Sequence, residues 1–310
     1  ATSSCWRDGV TAVRNLGRAL ADAIALAHRR RARALIGALC IAACPVGGAA
    51  TPPSEAAPKA SAVCHLPGGT ERGVVAIIDG ETLRLDDGRE LRLLGILAPR
   101  ATDAATSAAD AWPPAAAAKA ALAELAQGQR VRIATAGQQR DRYGRIVAHA
   151  FVRGSDGSER WLQGDLLANG HARAHFPGGD TPCSEALVAA EGHARGSGIG
   201  LWAHAAYKPK PAWQSRILSR SPGTYQIVEG KVRRAGRKGE RIHLDFGRDM
   251  RSDFTIVVAA ELARGEPAWT ASLLDTAGRT VRVRGWIAMS NGPMIEATHP
   301  AQIEVLDGAP

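Results

Sequence analysis

Asp79-Gly80-Glu81-Thr82-Leu83-Arg84-Leu85-Asp86-Asp87-Gly88-Arg89-Glu90-Leu91-Arg92-Leu93-Leu94-Gly95-Ile96 is the stretch that decides the fold. Apolar and polar residues alternate on both sides of Asp86-Asp87-Gly88. An Asp-Gly pair between two alternating runs is a strong hairpin signal. Upstream, residues 74–78 are an apolar, β-branched run that Asp79-Gly80 turns into residues 81–85. Residues 89–96 read as one third strand with Leu91 and Leu93 inward. A helix is predicted from 113 or 114 to 127, with Leu122 and Leu125 on one face and proline suited to its first turn. Residues 130–135 and 146–152 read as two more strands, separated by Asp141-Arg142-Tyr143-Gly144-Arg145. Five short strands with a helix among them predict a small OB-type barrel.

Lys208-Pro209-Lys210-Pro211 marks a boundary, and the chain then reads as β again. Strands are predicted over 228–234, 241–246, 253–258, 281–288 around Trp286, and 303–305. A short helix is predicted near 259–264, and turns at Arg237-Lys238-Gly239 and Gly292-Pro293. The fold class is mainly β with helices (α+β): an OB-like barrel followed by a second small β-barrel-like domain. The organisation reads as an export segment over 1–50, a Pro/Ala-rich linker over 51–63, a first domain over 64–207, a linker over 208–222 and a second domain over 223–310.

The N-terminal part points to the cell envelope. His28-Arg29-Arg30-Arg31-Ala32-Arg33 precedes an apolar stretch over 34–44, too short for a membrane span and the length of a signal h-region. Two exits are open. Ile41-Ala42-Ala43-Cys44 resembles a bacterial lipobox, which would lipidate Cys44; otherwise a peptidase cuts near Gly48-Ala49-Ala50. The plainer reading makes Cys40 and Cys44 ordinary small residues of the h-region. Residues 1–27 contain no Met and are odd for a signal n-region, which suggests an over-extended start or a removed initiator. The expected location is the bacterial envelope or periplasm, with or without a lipid anchor, and secretion as the alternative. Of the five cysteines, Cys64 and Cys183 remain in the folded part, and two cysteines in an exported protein suggest a disulfide. Thr181 is the expected N-cap of the helix that Cys183 opens.

Charge is uneven along the chain. Residues 1–44 carry net +5, residues 45–207 net −1 and residues 208–310 net +5, together the +9 of the whole. The first domain is therefore not a basic module, and any general affinity for polyanions falls to the tail. There Arg233, Arg234, Arg237, Lys238 and Arg241 cluster around one hairpin, with Phe246, Phe254 and Trp286 interleaved in sequence. Basic residues with aromatics hold single strands in OB folds. The plainer reading, slightly preferred, makes the aromatics core and the arginines a solvated tip. An anionic envelope polymer or phospholipid surface fits the charge equally well.

Asp79-Gly80-Glu81-Thr82-Leu83, Leu91-Arg92-Leu93-Leu94-Gly95-Ile96, Pro99 and Asp141-Arg142-Tyr143-Gly144-Arg145, in that order, resemble the staphylococcal-nuclease (thermonuclease) family over roughly residues 72–206. Leu166-Leu167-Ala168-Asn169-Gly170 and Gly200-Leu201-Trp202 are similar to its closing helices. Leu244-Asp245-Phe246-Gly247 and Asn291-Gly292-Pro293-Met294-Ile295-Glu296 are similar to tails of exported thermonuclease-like proteins of bacteria. The resemblance implies phosphodiester hydrolysis: Ca²⁺ held by carboxylates polarises the phosphate, a glutamate activates water, and two arginines neutralise developing charge. Arg92 and Arg145 match the phosphate-binding arginines, Glu81 a calcium-binding aspartate, and Ala98 a residue offering its carbonyl. Leu97 stands where a second calcium-binding aspartate is expected, and Arg100 where the general base is expected. Leucine offers no lone pair, and an arginine does not release its proton at neutral pH.

Removing a general base typically costs ~10²–10⁴ in rate. Losing a carboxylate also weakens calcium binding, unless Asp79, Asp103 or Asp141 rebuilds the set. The resemblance so altered implies a fold without the standard calcium-dependent activity, no cofactor, and an anionic partner such as nucleic acid. One alternative is a divergent phosphodiesterase that still uses calcium with Glu81, Arg92 and Arg145. Another is a structural envelope protein. Taken singly, each of these residues has a plainer role as a turn former or solvated face; their joint order raises the site reading above it.

Overall fold

The computed structural model of the chain describes residues 64–103, 112–135, 140–179, 181–249 and 251–306. The predicted export segment over 1–50, the predicted linker over 51–63 and Cys44, the candidate lipidation site, lie outside the described residues. Strands β1 (Thr70–Ile77), β2 (Thr82–Leu85) and β3 (Glu90–Leu93) form an antiparallel meander, with Ile77 opposite Leu83 and Leu83 opposite Leu91. Alternation sends Leu83, Leu85, Leu91 and Leu93 into the core, where all are buried. A bulge between Val74 and Ala76 bends β1, so its N-terminal half pairs instead with β5 (Arg130–Ala134). Next to β5 runs β6 (Ile146–Arg153), which returns parallel to β3 with Leu91 opposite Ile146 and closes a five-stranded barrel. A short β7 (Glu159–Trp161) extends the sheet beyond β6.

The predicted third strand is too long. It ends at Leu93, and Ile96–Leu97 is a separate strand, β4, paired with β8 (Arg173–Ala174). Gly95 makes the break at φ +83, and a Cβ there would lie 2.4 Å from Leu187 Cδ1. The turn therefore needs glycine for both conformation and space. Helix α1 (Pro113–Ala126) buries Pro114, Ala118, Leu122 and Ala126, an i, i+4 row, while Leu125 is only partly buried. At Gly80 a Cβ would come within 2.7 Å of the Ala118 Cβ and 2.9 Å of the Ala98 Cβ, so bare backbone lets α1 close on that turn.

Helices α2 (Leu162–Ala168) and α3 (Ser184–Ser197) cover the barrel through Leu162, Leu166, Leu167 and Leu187. Cys64 and Cys183 form a disulfide with an S–S distance of 2.01 Å, tying the lead-in of β1 to the start of α3. Thr181 does not cap α3. Cys183 occupies the N-cap itself at φ +60, without a side-chain cap bond, while Thr181 is buried. The left-handed residue directs the chain into the helix and leaves the threonine short of the cap position.

Residues 208–222 join the following sheet. Lys210–Pro211 forms β9, parallel to β10 (Tyr225–Lys231), and α4 (Ser215–Leu218) buries Leu218. Further strands are β11 (Arg234–Lys238), β12 (Arg241–Asp245), β13 (Thr255–Val258), β14 (Thr280–Met289), β15 (Pro293–Ala297) and β16 (Ile303–Val305). They order as β11-β12-β13-β15-β14-β10-β9 with β16 on β14, a curled half-barrel. Its core holds Ile242, Leu244, Phe254, Ile256, Val281 and Val283. The predicted strand 228–234 divides, because Val232 is buried at a corner and bonds Arg279 across it. The next turn falls at Gly239-Glu240, so Arg237 and Lys238 stand on an edge strand. Pro293 opens β15, where a missing N–H is tolerated. The helix predicted near 259–264 is α5 (Ala260–Gly265), and a further helix, α6 (Pro267–Leu274), opens on its own proline.

The two sheets meet across a polar seam. Alternation along β14 puts Arg282, Arg284 and Trp286 on the face opposite the half-barrel core. Arg284 is completely buried and binds Glu191 of α3 and Glu304 of β16. Arg195 also binds Glu191, at 2.5 Å, and Glu191 accepts the Ala174 N–H at 2.9 Å. Tyr225 donates its hydroxyl to the Ala174 carbonyl at 2.8 Å, and Arg173 donates to the Tyr225 carbonyl at 2.7 Å.

Candidate functional site

Asp79 and Gly80 set the position of Glu81. Asp79 Oδ1 accepts the Glu81 N–H at 2.9 Å, which tightens the turn, and Glu81 then points inward at 4% exposure. Its Oε2 accepts the buried Ala98 N–H at 2.8 Å. Its Oε1 accepts from Arg92 Nε at 3.1 Å and lies 3.4 Å from the Arg100 guanidinium. Arg92 reaches it because Thr82 and Arg92 are partners across β2 and β3. Arg100 reaches it because the Gly95 turn and β4 bring the chain back past the barrel end. Leu97 is buried at 2% exposure in β4, opposite Arg173.

Arg145 is engaged elsewhere. Its guanidinium binds Asp141 at 2.7 Å, and Asp141 also accepts the Arg145 N–H at 3.0 Å. Burial pushes Asp141 up, but these bonds and the Tyr143 N–H outweigh it and hold the carboxyl below its ordinary range. Arg145 directly precedes β6, in which Val147 is the parallel partner of Arg92. Glu81, Arg92 and Arg100 thus come together directly, whereas Arg145 is bound to Asp141. Arg142 lies over the Tyr143 ring at 4.9 Å, on the exposed tip of that loop.

Calcium asks for six to eight oxygen ligands. Both oxygens of Glu81 already accept bonds from arginine or backbone. Leu97 has no donor atom. Asp79 is used by its turn, Asp103 accepts the Arg100 N–H at 3.0 Å, and Asp141 is held by Arg145. Among the described residues, no group of three or more His, Cys, Asp or Glu is placed to hold a metal. A resident calcium ion does not fit this donor set.

The surroundings add residues that the sequence reading missed. Arg173 is buried, lies 4.9 Å over the Tyr207 ring and 5.1 Å from that of Tyr225, and is 4.0 Å from Asp103. His175 follows two residues later, and its N–H donates to the Gly95 carbonyl at 2.9 Å. Burial, with Arg92, Arg173 and Arg100 nearby, pushes the His175 pKa down to about 3, so the ring is neutral at pH 7. The alternation of Ala172-Arg173-Ala174-His175 is a weak strand signal, but nothing local in it points to the site. On the other side of Glu81 a cleft of about 320 Å³ is walled by Asp79, Arg100, Trp112, Ala116 and Lys119. Trp112 is held there by donating its Nε1–H to the Tyr207 hydroxyl at 2.8 Å.

The second predicted cluster lies apart from the aromatic residues named with it. Arg233, Arg234, Arg237 and Lys238 are exposed at edge strand β11, and Arg234 is paired with Asp245 at 2.9 Å. Phe254 is core and Phe246 packs against it. Trp286 lies on β14, with three strands between it and β11. The plainer reading of that hairpin holds for its phenylalanines.

Residues 90–204 match the family model of the staphylococcal nuclease homologues. This part of the chain is a staphylococcal-nuclease-like domain, and the closed barrel is the fold that such a match carries. Strands β1 and β2, with Glu81, lie just ahead of the matched residues and complete the barrel. No curated protein matches the chain.

Proposed function

We propose that this protein holds the phosphates of a nucleic-acid strand at Arg92 and Arg100 and does not hydrolyse the strand by the calcium-dependent route of its fold relatives. The observation that carries the reading is the Glu81 carboxylate, shared by two guanidinium groups and a backbone N–H. A guanidinium from position 100 stands against the carboxylate that a metal would need. One carboxylate against two arginines leaves an excess of positive charge, and Arg100 is half exposed to meet an anion. Arginine's planar fork suits phosphate oxygens. Leu97 and Arg100 supply neither a ligand nor a base.

The Cys64–Cys183 bridge supports export to an oxidising compartment, where such bonds persist. The functional test is a paired assay on the full chain. Labelled DNA and RNA are incubated with Ca²⁺, Mg²⁺ or Mn²⁺, and binding is followed across a salt series. Intact strands, with affinity that falls steeply with salt and falls again in Arg92→Ala/Arg100→Ala, are the expected result. Metal-dependent cleavage by the purified wild type would establish the divergent phosphodiesterase instead. Binding that ignores both salt and the double substitution would leave a structural envelope role.

A further inference from the structure

We propose that Trp286, contributed by the C-terminal half-barrel, is a stacking platform for an unpaired base of the strand whose phosphates lie on Arg92 and Arg100. The inference rests on the phosphate-binding reading above and adds that the ligand is single-stranded.

Trp286 is 45% exposed, an unusual state for tryptophan on a ten-residue central strand. Its place follows from alternation along β14. Arg282 and Arg284 precede it on the same face, and both are consumed by the ionic seam with Glu229, Glu191 and Glu304. Trp286 is the next residue in that row, where the seam ends and solvent begins. The ring is nevertheless held. Its partner across the strands is Tyr225, whose ring meets it edge-on at 5.5 Å, and His175 meets it edge-on at 6.3 Å. Two such ring contacts orient the indole, and its 45% exposure leaves part of the ring open to solvent.

His175 is the link to the arginines. It stands two residues beyond Arg173, the partner of Leu97, and its N–H closes on Gly95 at the turn that leads to Arg100. Arg92 and Arg100 are both close enough to His175 to disfavour its protonation. One imidazole thus touches the half-exposed indole and, through its backbone bond to Gly95, packs on the turn that leads to Arg100. Cationic tracking of the backbone with a stacked base is how single strands are held without sequence readout. In a duplex the bases are already stacked on one another and offer no free face to this ring.

The test measures fluorescence anisotropy of the full chain, in EDTA and low salt, with two labelled probes. One is a deoxythymidine strand of about twelve nucleotides, within the span of one OB fold. The other is an abasic strand of equal length, with the same phosphates and no bases. Trp286→Ala is expected to weaken thymidine-strand binding roughly 5- to 150-fold, the worth of one stacked base, and to leave abasic binding unchanged. Trp286→Phe, which keeps a ring, should retain most of the affinity. The proposal is overturned if Trp286→Ala leaves thymidine binding intact, lowers both probes alike, or behaves like Trp286→Phe. If wild-type protein binds neither probe, the arginine site itself is wrong and the stacking proposal falls with it. Abasic binding that survives beside an unaffected thymidine strand removes the stacking proposal alone.

Discussion

Arg100 is the second guanidinium on a single buried carboxylate, and that arrangement decides the chemistry around it. A hard cation needs oxygen donors with free lone pairs; Glu81 has given its own to Arg92, Arg100 and the Ala98 N–H. Replacing Glu81 by Gln should therefore act in two directions. It leaves a buried hydrogen-bond set short of its charge, so stability in urea should fall by roughly 1–3 kcal/mol. It also frees both arginines, so affinity for a single strand at low salt should rise. A variant that loses stability and affinity together would mean that Glu81 only shapes the site. The converse substitution, Leu97→Asp with Arg100→Glu, gathers three carboxylates at the barrel end. Thermal melts of that variant should show a calcium-dependent rise in Tm that wild type lacks. Equal response of the two proteins to calcium would argue against the donor-set reasoning.

At the scale of elements, most of the barrel was legible from alternation, because Leu83, Leu85, Leu91 and Leu93 each face one core. Where the reading overran, at 89–96, a single glycine with positive φ decided the boundary, and its crowding against Leu187 comes from a helix nearly a hundred residues later. The tail strand read over 228–234 overran for a similar reason: Val232 turns a corner where its N–H donates to the Arg279 carbonyl, a contact that no local pattern announces. Of the site, Glu81, Arg92 and Arg100 were legible through motif order. Arg173, His175 and Trp286 were not, since their meeting depends on how β8 and β14 lie against each other. The seam between these elements gives a test of its own. Glu191→Gln should cost about 3–5 kcal/mol, because Arg284 is left as a buried charge short of a partner. Denaturant curves measure it; a loss under about 1 kcal/mol would mean that Glu304 alone satisfies Arg284.

For the whole molecule, the described residues form one compact unit in which nuclease-like barrel and half-barrel share buried charge. Acid should loosen it. Burial holds His149 down at about 4, and His175 at about 3, below the ordinary imidazole value near 6.5. The unfolded chain thus binds protons that the folded chain refuses, so stability is lost as pH falls from about 6.5 toward 3 and regained as it rises. Melting temperature against pH should show that slope, and His175→Asn should flatten part of it. Reduction is the second global perturbation. The Cys64–Cys183 bridge closes a loop of 119 residues in sequence separation, and opening it should remove about 2–5 kcal/mol. A reductant that leaves the unfolding midpoint unchanged would place the stability of α3 elsewhere.

The central claim is that arginines, rather than a divalent cation, meet the phosphates at this barrel end. The most direct measurement is anisotropy of a labelled single strand titrated with the full chain, in EDTA and again in millimolar Ca²⁺, with Arg92→Ala/Arg100→Ala in parallel. The prediction is equal binding with and without calcium, an intact strand in both, and a marked loss in the double variant. Binding that appears only with calcium, or a strand cut when calcium is added, would contradict it.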